Sequence, residues 1–179
     1  RLAEWARAEG LPLMVHAAES PEEVAFLARG EGPLREVYGR FAKTPWTPPG
    51  TTPVRHLHAL GVLGPTTLLV HGVQVDEEEV GLLAETGTKV VLCPRSNANL
   101  EVGEAPLALY AKHGVELALG TDSRGSSPDL DVKNEARFLW GRAEPRLLVR
   151  ALTRGGYRAL GLPTPRLTRG TPLSLVHFL

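Results

Sequence analysis

The sequence is poor in the features that mark several common classes of protein. It has one cysteine, Cys93, in 179 residues, which excludes an internal disulfide framework and a zinc cluster built from several cysteines. Neither charge is in excess, because 20 Lys and Arg residues balance 20 Asp and Glu residues. This balance argues against a nucleic acid or an anionic membrane as the main partner. No apolar run approaches the ~20 residues of a membrane span, so we expect a soluble, cytoplasmic protein.

The first residues lack a signal for the start of a helix. Residues 1–10 have the pattern of the end of an amphipathic helix, with Leu2, Trp5 and Ala6 on one face and Gly10 in the place of a C-terminal cap. We therefore expect the chain to be the C-terminal portion of a longer protein.

Beyond residue 10, short apolar runs alternate with helical patterns. The runs are continuously apolar, which is typical of strands covered on both faces in a parallel sheet. We expect strands over 11–15, 67–70, 89–92 and 115–119. We expect helices over 21–29, 33–41, 54–60, 76–85, 105–113, 130–140 and 145–160, and loops over 44–53 and after Pro94. The sequence therefore predicts an α/β fold of four parallel strand–helix units.

Polar residues follow each predicted strand at the point where it ends. His16 and Glu19 follow the first strand, His71 the second, Arg95-Ser96-Asn97 the third and Asp122 the fourth. Because parallel strands end on the same side of a sheet, these side chains are expected to share one mouth, where β/α barrels hold their active sites. Two histidines and two carboxylates suit a hydrolytic metal centre with a proton shuttle.

Each of these residues also has a structural interpretation when it is taken alone. A histidine after a strand is often a hydrogen-bonded core residue, and Glu19 could be a solvated carboxylate near a helix start. Asp122 and the Ser96-Asn97 pair could form ordinary turns, and Arg95 could be a surface arginine. The same placement after four successive strands favours the functional interpretation.

Five motifs carry a resemblance to a known family. Residues 14–19, 69–72, 92–100, 119–122 and 134–135 resemble conserved segments of the metal-dependent amidohydrolase superfamily. The resemblance is to the branch of chlorohydrolases, guanine deaminases and adenosylhomocysteine deaminases. Segments 18–23, 30–34 and 93–97 are similar to the aminodeoxyfutalosine deaminases of menaquinone synthesis.

The resemblance implies a fold and a chemistry for the chain. Residues 1–162 would be the second half, strands 5 to 8, of a TIM-type barrel, with 163–179 an irregular or short β tail. His16 and Asp122 would be ligands of zinc, or of iron, and His71 would hold or orient the metal-bound water. Glu19 would contact a ring nitrogen of a small-molecule substrate and pass protons to it.

The loop after the third strand would contact the substrate. Arg95 is a candidate clamp for a substrate carboxylate, because a guanidinium matches a carboxylate with two hydrogen bonds. Ser96 and Asn97 would bind the substrate beside it. The reaction implied is deamination of a purine-like base by metal-activated water.

The sequence also departs from the family pattern. The resemblance implies two further ligands from a histidine-x-histidine motif after a first barrel strand. The only such spacing here, His56-Leu57-His58, lies in the predicted helix over 54–60 and follows no strand. Half a barrel cannot close, and one His with one Asp make a poor zinc site. We expect this chain alone to be inactive, to need the N-terminal half of the barrel as a partner, and to be able to dimerise through open sheet edges.

Two alternatives stay open at this stage. The same motifs fit a triazine-type chlorohydrolase or another cyclic amidohydrolase. A non-catalytic half-barrel module that binds a ligand or a partner chain would carry its His and Asp residues without using them. A nucleotide-phosphate binder is disfavoured, because no glycine-rich phosphate loop follows any predicted strand.

Overall fold

The computed structural model describes residues 1–42, 44–164 and 169, and within them the chain forms one four-stranded parallel sheet. The strands are β1 (Leu13–Ala17), β2 (Thr67–His71), β3 (Lys89–Leu92) and β4 (Leu117–Leu119). They lie in the order β1-β2-β3-β4, so each strand pairs in parallel with the next along the chain. The predicted α/β class and the four parallel strands are confirmed.

Helices connect and flank these strands. They are α1 (Leu2–Ala8), α2 (Pro21–Arg29), α3 (Pro33–Phe41), α4 (Pro53–Ala59), α5 (Glu77–Thr86), α6 (Pro94–Asn99), α7 (Leu107–His113), α8 (Val132–Phe138), α9 (Pro145–Arg150) and α10 (Gly156–Ala159), with a π-helical turn over Ala151–Gly155 between the last two. Local chemistry fixes several ends. At α5 the Asp76 side chain accepts from the Glu79 N–H and the Glu79 side chain accepts from the Asp76 N–H, a closed capping box.

The two faces of the sheet bury alternate residues of each strand. Leu69, Val90, Leu92, Leu117 and Leu119 join the larger core, which also contains apolar residues from α4, α5, α7, α8 and α9. Their neighbours along the strands form a smaller cluster on the other face: Leu68, Val70, Val91, Cys93 and Ala118 with Ala159. Both faces are therefore covered in the middle of the sheet, as the continuous apolar runs predict.

Several elements, such as β4 and α8, are shorter than predicted by two residues at one or both ends, and three further differences concern the site or the packing. β1 is shifted along the chain and includes His16 within the strand. The segment after Cys93, predicted as a loop, forms the short helix α6, in which Pro94 takes the first helical position that its fixed φ suits. The predicted helix over 145–160 is interrupted by the π-helical turn, which brings the backbone of Gly155 against β4.

The proline-rich stretch over 44–53 is largely a loop, as predicted, and it packs against two helices. The Trp46 ring stacks on Phe26 of α2 at 4.2 Å between centroids, and Tyr38 of α3 lies 5.5 Å from the same ring. Most of the predicted tail over 163–179 lies outside the described residues. Among those that are described, none of the helices combines the length and the apolar character that crossing a membrane requires.

Candidate active site

The sequence-predicted polar residues meet at the carboxyl edge of the sheet. His16 lies near the end of β1, His71 is the last residue of β2, and Asp122 follows β4. The parallel register places His16 beside Val70 and Ala17 beside His71, which brings the two histidines onto neighbouring strands. Their ring centroids are 5.3 Å apart.

The backbone turns sharply where these strands end. Ala18, His71 and Asp122 adopt left-handed backbone conformations, with φ of 53°, 75° and 59°. Such conformations cost non-glycine residues about 1–3 kcal/mol each and concentrate at functional sites. The chain therefore turns out of the sheet at or next to His16, His71 and Asp122.

Three side chains form a group that could hold a metal ion. One ligand atom from each of His16, His71 and Asp122 lies within 4.8 Å of the other two. His16 Nε2 lies 4.0 Å from Asp122 Oδ1. Glu19 lies beside this group, with its Oε1 3.6 Å from His71 Nε2.

His71 is buried and has one unpartnered nitrogen. Its Nδ1 lies 2.8 Å from the Asn97 Oδ1, so Nδ1 carries the proton and donates it to the amide oxygen. This leaves a lone pair on Nε2, which has no hydrogen-bond partner in the described part of the chain. A buried imidazole nitrogen with a free lone pair that faces a second imidazole and a carboxylate fits a divalent ion.

Asp122 is held as a carboxylate by two hydroxyl groups. Ser96 Oγ donates to its Oδ2 at 2.7 Å, and Ser126 Oγ donates to the same oxygen at 2.6 Å. Burial raises the pKa of Asp122, but the Ser126 and Ser96 hydrogen bonds, together with His71 and the Ser123 N–H, lower the pKa below its usual value. The group therefore offers a charged oxygen for a metal.

Two supporting residues escaped the sequence prediction. Ser126 has no motif of its own and is recognised only because the turn after Asp122 folds its hydroxyl back onto the carboxylate. Glu23 of α2 accepts the Glu19 backbone N–H at 2.8 Å. The capping-box pattern of residues 20–23 was the available signal that Glu23 reaches back over the start of α2.

The predicted substrate-binding residues lie beside the group, but their side chains are engaged within the chain. Arg95 donates two hydrogen bonds to Asp129, at 2.9 and 2.8 Å. The backbone N–H of Arg95 donates to the buried Glu135. Ser96 is hydrogen-bonded to Asp122, and Asn97 is hydrogen-bonded to His71. Both of these side chains of α6 thus support residues of the candidate metal-binding group.

Comparison with known proteins identifies relatives of the chain. Residues 1–178 match the amidohydrolase family. The chain is 43% identical to the aminodeoxyfutalosine deaminase of Deinococcus radiodurans, over 94% of this chain and 43% of that protein. It is 34% identical to a 5-methylthioadenosine/S-adenosylhomocysteine deaminase of Halobacterium salinarum, over 97% of this chain and 39% of that protein. The chain thus spans less than half the length of these relatives.

Solved structures show the same fold. An adenosine deaminase from Xanthomonas campestris with bound zinc superposes with a TM-score of 0.70 and 30% identity, over 88% of this chain and 34% of that one. An atrazine chlorohydrolase from Arthrobacter aurescens, complexed with zinc, superposes with a TM-score of 0.71 and 23% identity, over 90% of this chain and 34% of that one. The resemblance that the motifs predict is confirmed by both kinds of comparison. By its sequence over residues 1–178 and by its parallel α/β fold, the chain belongs to the amidohydrolase family.

Proposed function

We propose that this chain is the C-terminal half of a metal-dependent deaminase that acts on a purine-like base, with aminodeoxyfutalosine as the specific substrate. The observation that carries the proposal is the convergence of His16, His71 and Asp122 within 4.8 Å, with Glu19 beside them. Support for the substrate class comes from the relatives named as deaminases of adenosine-like compounds. The link to menaquinone synthesis rests on the name of the first of them.

The residues that would hold the metal are His16 and Asp122, and the free Nε2 of His71 faces the same space. Imidazole and carboxylate ligands suit zinc, and iron is the second candidate. A bound ion of this kind lowers the pKa of water toward ~7 and so makes a nucleophile available at neutral pH.

The protein's own groups would handle the protons. Asp122, held as a carboxylate, accepts a proton from the attacking water. Glu19 carries a proton to the ring nitrogen of the base, and His71 orients the water through its Nε2. The reaction consumes one water, replaces the carbon–nitrogen bond by a carbonyl group and releases ammonia.

The proposed substrate contacts come from α6. Arg95 would bind a substrate carboxylate with the N–H donors that its two hydrogen bonds to Asp129 leave free, or by exchanging that partner. Ser96 and Asn97 would present to the substrate the atoms that their contacts with Asp122 and His71 leave free.

Ammonia release by a protein that carries the whole barrel tests the proposal. The assay supplies zinc or iron and offers aminodeoxyfutalosine, 5-methylthioadenosine, S-adenosylhomocysteine, adenosine and guanine side by side. Turnover of aminodeoxyfutalosine supports the full proposal, and turnover of another member supports deamination with a different substrate. Chloride release from atrazine without ammonia release from any base would replace deamination by the chlorohydrolase alternative. A protein that binds no divalent ion would support the non-catalytic alternative.

Glu19→Gln tests the proton-transfer role within the same assay. We expect kcat to fall by ~10²-fold or more with the metal content unchanged, because the amide cannot shuttle a proton. Glu22→Gln, an exposed change in the first turn of α2, is the matched control and should leave kcat unchanged. Equal kcat values in the two variants would show that Glu19 is only a helix-start residue.

A further inference from the structure

We propose that Ser96 and Ser126 are positioning residues that together fix Asp122, so that its Oδ2 is held by the chain and its Oδ1 is presented to the metal. This inference rests on the proposed function, in which Asp122 is a metal ligand. We call the two hydroxyl groups and the oxygen that they bind, Asp122 Oδ2, the serine clamp.

The two hydroxyls converge on a single carboxylate oxygen. Ser96 Oγ lies 2.7 Å and Ser126 Oγ lies 2.6 Å from Asp122 Oδ2. Both serines are buried, with 0% and 7% of their surface exposed. Oδ1 is the oxygen on the side of His16, 4.0 Å from its Nε2. One oxygen is thus saturated by the chain, and the other faces the metal-binding group.

The two donors come from different parts of the fold. Ser96 lies on α6, directly after β3, whereas Ser126 lies in the turn that follows Asp122 itself. Backbone N–H groups of Ser126 and Ser127 donate to the Ser123 carbonyl and close this turn. Rotation of the carboxylate would break both hydroxyl contacts at once, so the clamp joins the ends of β3 and β4 through Asp122.

The donor capacity of a hydroxyl limits what Ser96 can do for a substrate. A serine hydroxyl has one hydrogen to donate. Ser96 uses this hydrogen on Asp122, so toward a substrate it can act only as an acceptor. The clamp therefore assigns Ser96 primarily to the carboxylate.

The chain offers a matched control in the same turn. Ser127 is also buried, at 5% exposed, but its hydroxyl donates to the carbonyl oxygen of Asp129 at 3.0 Å. Ser127→Ala removes the same group from the neighbouring position without touching Asp122. Ser126→Thr keeps a hydroxyl at the clamp position and serves as the rescue variant.

The test is the zinc dissociation constant of the whole-barrel protein, measured by competition with a chromophoric chelator. We expect Ser96→Ala and Ser126→Ala each to weaken zinc binding by about 10-fold, and the double variant by up to about 100-fold, as partners of metal ligands usually do. Ser127→Ala should change the constant by less than about 2-fold, and Ser126→Thr should restore most of the affinity lost in Ser126→Ala.

Comparison with Asp122→Asn separates the inference from the proposed function. Weak zinc binding in Asp122→Asn with unchanged binding in the double serine variant would overturn the clamp and keep Asp122 as a ligand. Unchanged binding in Asp122→Asn would overturn both. Weakened binding in the serine variants of a protein that releases no ammonia from any base would support the clamp while the deaminase proposal fails.

Discussion

The Arg95 side chain is already paired where the motif predicts a clamp for substrate. Its guanidinium makes two hydrogen bonds to Asp129 and lies 3.6 Å from the buried Glu135. The Arg95 guanidinium and the Asp131 N–H hold the pKa of Asp129 well below its usual range. Arg95 therefore joins α6 to the segment before α8, whatever it does for a substrate.

Arg95→Ala should show this structural role as a pH-dependent loss of stability. A carboxylate with a lowered pKa in the folded state stabilises the fold above its ordinary pKa of about 3.9, and that contribution disappears as the pH falls through the folded value. We expect the melting temperature of Arg95→Ala to be lowered at pH 7. The difference from the wild type should begin to shrink only below about pH 4 and should vanish as the pH falls through the lowered pKa of Asp129.

Arg35→Ala, at an exposed position on α3, is the control and should leave the melting temperature unchanged at both pH values. An unchanged melting temperature in Arg95→Ala, with a raised KM for a substrate that carries a carboxylate, would instead support Arg95 as the residue that binds the substrate carboxylate.

Residue positions were predictable where the topology determines them. His16, His71 and Asp122 could be found because parallel strands end on one side of a sheet. The direction of each side chain could not be found in this way. The contacts of Ser96 and Asn97 depend on the formation of the short helix α6, and the contact of Ser126 depends on the conformation of the loop after Asp122. Neither the short helix nor the loop leaves a periodic signal in the sequence.

At the scale of elements, the π-helical turn sets the approach between the last helices and β4. A Cβ atom built on Gly155 would overlap the Leu117 carbonyl oxygen and lie 3.1 Å from Ala118 Cα. These are backbone atoms of β4, and they cannot move aside as a flexible side chain would. Gly155 is therefore required for this packing.

Gly155→Ala should destabilise the protein by about 1–3 kcal/mol or more, the usual range for overpacking a core. Gly156→Ala is a close control, because Gly156 is also helical and has no atom within 4 Å of its added Cβ. It should be neutral or stabilising by up to about 1 kcal/mol, since alanine favours a helix over glycine. Urea unfolding measures the free energy of unfolding of both variants, and equal values would contradict the close packing of Gly155 on β4.

The main strands and longer helices were predictable because each has a continuous apolar run or a capping signal. The bounds of β3 are those expected, and α5 begins after the predicted Asp76. The helix α6 was predicted as a loop, because six residues are too few to show a helical period. The π-helical turn was missed for a related reason: its extra residue is dictated by contact with β4 and not by local propensity.

At the scale of the whole molecule, β1 and β4 are the two outer strands of an open sheet among the residues that the structure describes. A closed barrel of this family needs further strands, and the chain covers 34% of the adenosine deaminase on which it superposes. The domain limits proposed from the motifs, 1–162 for the half-barrel and 163–179 for a tail, stay predictions.

Supplying the rest of the barrel should restore activity. We expect the 179-residue chain to bind zinc weakly and to release no ammonia from aminodeoxyfutalosine, because one His and one Asp are a poor ligand set. Coexpression with the N-terminal half of a whole-barrel relative should produce a complex that binds zinc and releases ammonia from aminodeoxyfutalosine. Turnover by the 179-residue chain in isolation would contradict the need for a partner half. Sedimentation of the chain alone would show whether its open edges pair in a homo-oligomer.

Because β1 pairs with β2 in a fixed register, an insertion or deletion within β1 affects the site differently when it has an odd or an even number of residues. His16 stands beside Val70, and successive strand residues point to opposite faces. Inserting one residue into β1 before His16 would send the imidazole to the helix-covered face, whereas inserting two would return it to the side of Asp122. The connection over residues 20–66, which contains α2, α3 and α4, carries no such restriction. Changes of length in the exposed turns of that connection therefore leave the face of His16 unchanged, while within the strands only even changes keep the histidine on its face.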